Sequence, residues 1–186
     1  MKPLTQLAHD LIRGEIAPDP EGLLAIDATA GNGYDTLFLA ELVGPGGRVW
    51  AIDIQTAAIA QTRERVGPRI DRVDFCVGDH ANLKSMIPLE HHGQIAIVMF
   101  NLGYLPGGQK STITRTDSTL AALNAAWELL ALGGLLSVIA YPGHPGGDQE
   151  ALAVADWIRQ RPLDVVSSPP ASSPISPQHS LVRKRS

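Results

Sequence analysis

Apolar residues along the chain fall into two alternating periods. Leu23 to Ile26, Arg48 to Asp53, Val73 to Val77, Ile95 to Phe100 and Leu135 to Tyr141 are short, nearly continuous apolar runs. Such runs mark strands buried on both faces, as in a parallel sheet. Between and after them, residues 36–42, 55–65, 117–131 and 148–160 carry apolar positions at helical spacing, with Leu37, Phe38 and Leu42 of the first turned toward a sheet. A further helix is predicted over residues 3–14, where Leu4, Leu7, Ala8, Leu11 and Ile12 share one face and Gly14 closes it. The alternation predicts an α/β fold: a doubly wound, mostly parallel sheet with helices on both faces. Leu163 to Val166 and Ser180 to Val182 flank a serine- and proline-rich stretch from Ser167 to Pro177. They read as a loop-linked antiparallel pair on the C-terminal edge of that sheet.

Composition narrows this picture. With 186 residues, 44% of them hydrophobic and 18% charged, the chain suits one globular domain over residues 1–186. No apolar run reaches membrane-spanning length, and His9, Asp10 and Arg13 interrupt any secretory pattern near the start. A cytoplasmic protein without a membrane partner is the expectation. The one cysteine, Cys76, excludes an internal disulfide and a multi-cysteine zinc site, so no metal is expected. A net charge of −4 supplies no strong field for a long duplex. Lys110 and Arg115, and Arg183 to Arg185 at the end, are the local basic clusters.

Ligands of such sheets bind beyond the carboxyl ends of the strands, so the residues after each run carry the chemistry. After the first comes Asp27-Ala28-Thr29-Ala30-Gly31-Asn32-Gly33-Tyr34-Asp35-Thr36, a strand-to-helix turn in which Gly31 and Gly33 allow a ligand to approach the backbone. A dinucleotide fingerprint would place a third glycine at Thr36, and Asp27 would repel a pyrophosphate. A carboxylate there suits a cationic amino acid tail, as in S-adenosylmethionine. Asp53, followed by Ile54, ends the second strand about 20 residues after the glycines, the spacing of an acidic residue that accepts from a ribose diol. Asp79 and His80 follow the third strand, where Asp79 either accepts an adenine amine or caps a short helix. Asn101 and Tyr104 lie in the glycine- and proline-rich loop after the fourth strand, and Tyr141 and His144 in a similar loop after the fifth. These loops offer an amide, two aromatic rings and an imidazole to a substrate.

Taken together, the stretches from Asp27 to Thr36, Asn101 to Gly108 and Tyr141 to Gly147 resemble the small bacterial class I methyltransferases of the rRNA methylase family. That resemblance implies S-adenosylmethionine as cofactor and methylation of the aminomethyl group of 5-aminomethyl-2-thiouridine at the tRNA wobble position. It implies a cofactor set of Asp27, Gly31, Asn32, Gly33, Asp35, Thr36, Asp53, Ile54, Asp79, His80 and Asn101. The catalytic set is Asn101, Tyr104, Tyr141 and His144, with the anticodon stem-loop of tRNA as partner and a homodimer as one way to enlarge the RNA surface. The family loop usually reads Gly-Gly-Asp-Lys, whereas this chain has Gly108-Gln109-Lys110, so Gln109 is not part of the catalytic set. In mechanism, Asn101 holds the amine in line with the methyl group while His144 or Tyr141 assists proton loss, and Tyr104 and Tyr141 grip the base. Methylation of another RNA or a small metabolite is the alternative on the same fold, and a nicotinamide oxidoreductase or an RNA-binding module is the alternative of another class.

Overall fold

The computed structural model describes residues 2–18, 20–103, 116–143, 145–167, 173 and 175–185. Seven strands form one sheet: β1 (Leu24–Asp27), β2 (Arg48–Asp53), β3 (Val73–Val77), β4 (Ile95–Asn101), β5 (Leu130–Ala140), β6 (Leu163–Ser167) and β7 (Gln178–Lys184). Their spatial order is β3-β2-β1-β4-β5-β7-β6. β1 to β5 are parallel to one another, and β7 runs antiparallel to both β5 and β6. The helices are α1 (Leu4–Glu15), α2 (Tyr34–Leu42), α3 (Thr56–Val66), a single turn α4 (Leu83–Met86), α5 (Thr116–Leu129) and α6 (Gly147–Arg159).

The period-two alternation of each strand feeds two apolar layers. Ala25, Val49, Ala51, Ile97, Met99, Leu135 and Leu181 pack with Ile12 of α1, Phe38 and Leu39 of α2, and Ile59 of α3. Ile26, Trp50, Ile52, Val98, Phe100, Val138 and Val182 pack with Leu123 of α5 and with Val154 and Trp157 of α6. Both faces are therefore covered, as a sheet of parallel strands requires. Cys76 of β3 is half-buried and packs against the second layer.

Among the boundaries that differ from the sequence reading, two have a local cause. α2 begins at Tyr34, immediately after the glycine turn, because Gly33 closes the turn in a left-handed conformation and its carbonyl accepts from Leu37 N. The strand expected at Leu135 starts at Leu130, inside the segment expected to be helical. Leu130 pairs with Ile95 and Leu135 with Ile97, so the residues between them bulge out of the ladder through Gly133 and Gly134. An apolar run crossing a helix-to-strand junction gives no change of hydrophobicity to mark it.

Strand order reverses between β1 and β4, since the chain moves outward through β2 and β3 before returning to β4. A crevice forms at the carboxyl ends where neighbouring connections leave in opposite directions. Lower on the α1 side of the sheet, His179 of β7 is 1% exposed and its Nε2 lies 3.0 Å from the Ser137 hydroxyl of β5. Its Nδ1 has no hydrogen-bond partner among the described residues. Burial pushes this imidazole from 6.5 down to about 4. Between those values the unfolded chain binds a proton that the folded chain refuses, so stability falls as pH drops through the interval. Urea unfolding of the wild type and of His179→Gln at pH 7 and pH ~4.5 should show the larger acid loss in the wild type; equal losses would contradict this role for His179.

Candidate functional site

The crevice is built around the turn after β1. Asp27, at the end of the strand, is 1% exposed. Its Oδ1 accepts from Thr29 N at 3.2 Å, and its Oδ2 accepts from the Thr36 hydroxyl at 2.5 Å. One carboxyl thus ties the start of the turn to the first turn of α2. Burial, followed by the like charge of Asp35, pushes this carboxyl up to about 8. Where the sequence reading expects a carboxylate beside a cationic ligand, both oxygens of Asp27 are engaged within the turn.

Across the turn, Ala28 N donates to Met99 O of β4 at 2.9 Å and Ala30 N to Ile52 O of β2 at 2.8 Å. Gly31 N donates to Asp53 Oδ2 at 2.9 Å, while Asp53 Oδ1 accepts from Gln55 N at 2.8 Å. Each Asp53 oxygen keeps a further lone pair for a ligand hydroxyl. Gly33 cannot be replaced without cost: at φ 81°, a Cβ would stand 2.7 Å from Thr62 Cα. The close approach of α3 to the turn depends on that gap. The Thr62 hydroxyl donates to Gly31 O at 3.2 Å, and Arg65 Nε donates to Asn32 O at 2.5 Å. Arg65 also stacks its guanidinium 3.7 Å from the ring centre of exposed Tyr34. Asn32 thereby sits on the rim, in an open cleft of about 510 Å³ that Gln61, Glu64 and Arg65 also line.

At the ends of β2 and β3, Ile54 and Val77 are 55% and 54% exposed, an unusual placement for apolar side chains beside strand ends. Asp79 caps the short 3₁₀ turn His80–Asn82 by accepting from Ala81 N at 2.8 Å, so its capping role is realised. His80 stands edge-on to Phe100, with ring centres 6.1 Å apart, and its Nε2 is buried without a hydrogen-bond partner among the described residues. Burial lowers its proton affinity, against the opposing charges of Asp79 and Glu150. Glu150 of α6, itself buried, accepts from the Thr119 hydroxyl of α5 at 2.6 Å and was not singled out by sequence.

The other half of the crevice lies at the ends of β4 and β5. Asn101 N donates to the Thr29 hydroxyl oxygen at 2.7 Å, which fixes β4 to the turn. Asn101 Nδ2 donates to Asp35 Oδ2 at 3.3 Å. The other oxygen of Asp35 lies 2.6 Å from His9 Nε2 of α1, whose ring stacks on Phe38 at 4.0 Å and 4°. Tyr141, half-buried at the end of β5, completes the group; burial and then the charge of Asp35 raise its phenol above its ordinary value of 10. Both effects favour the protonated phenol. Tyr104 and His144, together with Gln109, Lys110 and Arg115, lie outside the described residues. His9 and Thr29 were missed by the sequence reading. Thr29 sits inside the recognised turn, whereas nothing in the helical pattern around His9 distinguishes it from a surface histidine.

The donor set suits a nucleoside bearing a cationic tail: carboxylate oxygens at Asp53 for vicinal hydroxyls, exposed apolar side chains at Ile54 and Val77 for a base, and a glycine turn between them. Among the described residues, no group of three histidine, cysteine or acidic side chains could hold a metal ion, and no helix is long and apolar enough to cross a membrane.

Residues 49–168 match the family described as "Putative rRNA methylase". The chain is 40% identical over 179 residues to the chloroplastic tRNA (mnm(5)s(2)U34)-methyltransferase of Arabidopsis thaliana, with 84% of this chain aligned and 62% of that relative's length spanned. Among solved structures, a protein of the same family description from Clostridium thermocellum superposes with a TM-score of 0.88 at 36% identity, covering 99% of this chain and 98% of that one. A "putative methyltransferase" from Streptococcus mutans in complex with SAH superposes with a TM-score of 0.82 at 30% identity, over 99% of both chains. The crevice at the β1–β4 reversal, the glycine turn and these likenesses lead to one assignment: the chain belongs to the rRNA methylase family, within the S-adenosylmethionine-dependent class I methyltransferases.

Proposed function

We propose that this protein is an N-methyltransferase acting on the aminomethyl group of 5-aminomethyl-2-thiouridine at the wobble position of tRNA. The observation that carries the reading is the convergence of Asn101, Asp35 and Tyr141 beside the glycine turn, which gives a cationic amine an amide, a carboxylate and a phenol at the edge of the cofactor crevice. The printed activity of the Arabidopsis thaliana relative supports it.

The cofactor half consists of Asp27, Gly31, Asn32, Gly33, Thr36, Asp53, Ile54, Asp79 and His80, with Asp35 and Asn101 at its border with the substrate half. Asp53 accepts from the ribose hydroxyls, Ile54 and Val77 flank the adenine, and Asp79 takes the exocyclic amine with an oxygen left over from its cap. Asp27 acts at one remove, by holding Thr29 and Thr36 in place. S-adenosylmethionine, when bound, supplies an electrophilic methyl group on a sulfonium. The chain's part is to present a neutral nitrogen to it. A free alkylamine has a pKa of about 10 and is protonated at neutral pH, so the site must remove a proton and fix the lone pair.

Asn101 is suited to the second task. Its Nδ2 is engaged by Asp35, which orients the amide and leaves its carbonyl oxygen to accept an N–H of the substrate. Positioning of this kind is a principal means of rate enhancement. Tyr141 donates to the substrate from its neutral hydroxyl, and Tyr104 and His144 belong to the same set as base-stacking ring and polar aid. The anticodon stem-loop is the RNA element that presents such a base, extruded from its stack. With 15 basic against 19 acidic residues, a second copy of the chain is proposed to extend the RNA surface. The compartment proposed is the cytoplasm.

Two outcomes are expected. Mass spectrometry of nucleosides from tRNA bearing 5-aminomethyl-2-thiouridine, incubated with the protein and S-adenosylmethionine, should show a gain of one methyl group on that nucleoside. An unchanged pool would refute the substrate, and Asn101→Ala should lower turnover about 100-fold at saturating tRNA. In titration calorimetry, Gly33→Ala should weaken S-adenosylhomocysteine binding at least tenfold, because the added Cβ drives α3 away from the turn; unchanged affinity would remove the glycine turn from the cofactor site.

A further inference from the structure

The buried contact between α1 and α2 joins His9 to Asp35 at the end of the glycine turn, and Asp35 in turn bonds Asn101. His9 and Asp35 bring together an imidazole and a carboxylate whose side chains are only 12% and 7% exposed. The His9 ring is pinned flat against Phe38. Phe38 in turn carries the Arg13 guanidinium 5.4 Å from its ring centre. Asp35 is therefore held from two sides: Oδ1 by His9 of the amino-terminal helix and Oδ2 by Asn101 of β4. Apolar packing would have served to seat α1, as Ala8 and Ile12 already do. Burying a carboxylate against an imidazole in addition is costly unless it serves a further purpose.

Resting on the reading above, we propose that Asp35 is the residue that accepts the proton of the substrate amine, and that His9 is a positioning residue that holds Asp35 and passes the proton outward. The amine's entry point follows from Asn101, whose amide nitrogen bonds Asp35 Oδ2, so that the amide carbonyl and the carboxylate are neighbouring acceptors. An ammonium group donating to both gives one proton to Asp35, becoming the neutral amine. The proton crosses the carboxylate to the His9 side and leaves to water, which restores the pair. The neutral nitrogen then uses its freed lone pair to form the N–C bond, the C–S bonding pair stays with sulfur, and the product leaves as a secondary ammonium.

The other charged or titratable groups facing this pair do not compete for the role. Asp27 from β1 lies within the field of Asp35 but is closed off by Thr29 and Thr36. Asp53 of β2, bonded to Gly31 N and Gln55 N, is the carboxylate assigned above to the cofactor ribose. Tyr141 from β5 holds its proton, and Arg13 of α1 is directed onto Phe38. Asp35 is the acidic side chain directly bonded to Asn101.

Single-turnover methylation of tRNA bearing the aminomethyl nucleoside, followed from pH 6.5 to 9.5, tests the assignment together with calorimetric binding of S-adenosylhomocysteine. Asp35→Asn should lower the rate at pH 7 by about 10²-fold or more. The deficit should shrink close to tenfold for each unit of rising pH, because hydroxide or buffer then does the work of the missing base. His9→Asn, which keeps a hydrogen-bond donor toward Asp35 without an imidazole, should lower the rate about tenfold with the same recovery, and should bind S-adenosylhomocysteine within about threefold of the wild type. His9→Asn leaves Asp35 in place, so it decides the matter if Asp35→Asn fails to fold. Rates within threefold of wild type, a deficit that does not change with pH, or a tenfold loss of S-adenosylhomocysteine affinity with the rate spared would each overturn the proposal. If the wild-type protein itself leaves the nucleoside unmethylated, the fault lies with the substrate reading instead.

Discussion

The buried carboxyl of Asp27 is the constraint on which the site depends. By accepting from Thr29 N and from the Thr36 hydroxyl, it sets where β1 stops and in which direction α2 starts. The consequences spread through single bonds. Thr29, so fixed, receives Asn101 N and thereby sets the end of β4, while α2, so aimed, turns Asp35 toward Asn101 and His9. Burial of Asp27 opposes the bonds from Thr29 and Thr36 in setting its proton affinity, since a charged carboxyl is costly to bury. Its elevation to about 8 is the electrostatic counterpart of its 1% exposure.

Three acidic residues within one crevice would repel one another if all were equivalent. Their surroundings divide the work instead. Asp27 is sunk beneath the turn, Asp53 shares backbone N–H groups with room for further donors, and Asp35 is paired with an imidazole. On the proposed reading, hydrogen-bond partners alone separate a structural carboxyl, a ribose-facing carboxylate and a substrate-facing carboxylate. The same principle governs Tyr141, whose burial beside Asp35 keeps its proton in place.

The fold was legible because the parallel strands are buried on both faces and so appear as uninterrupted apolar runs with polar residues at their ends. β1 to β4 fall where those runs predict, and the antiparallel pair β6 and β7 falls on either side of the serine- and proline-rich stretch. The start of β5 was hidden because Leu130 and Ala131 continue the apolar character of α5. In the site, Asp53 and the glycines were readable as strand-end residues at a known spacing. The orientation of Asp27 was not, since sequence records that a carboxyl is present and not whether it points up or down. His9 was invisible for a different reason: its partner lies 26 residues away, and only the packing of α1 over α2 brings them together.

The central claim is that cofactor and substrate amine meet at the β1–β4 reversal, with the amine against Asn101 and Asp35. A crystal structure of the protein with S-adenosylhomocysteine and an anticodon stem-loop carrying 5-aminomethyl-2-thiouridine tests it most directly. The account predicts the amine nitrogen at about 3 Å, a hydrogen-bond distance, from both the Asn101 carbonyl oxygen and Asp35, with the adenine between Ile54 and Val77. An amine directed elsewhere, with Asp35 bonded to the amino acid tail of the cofactor product, would contradict it.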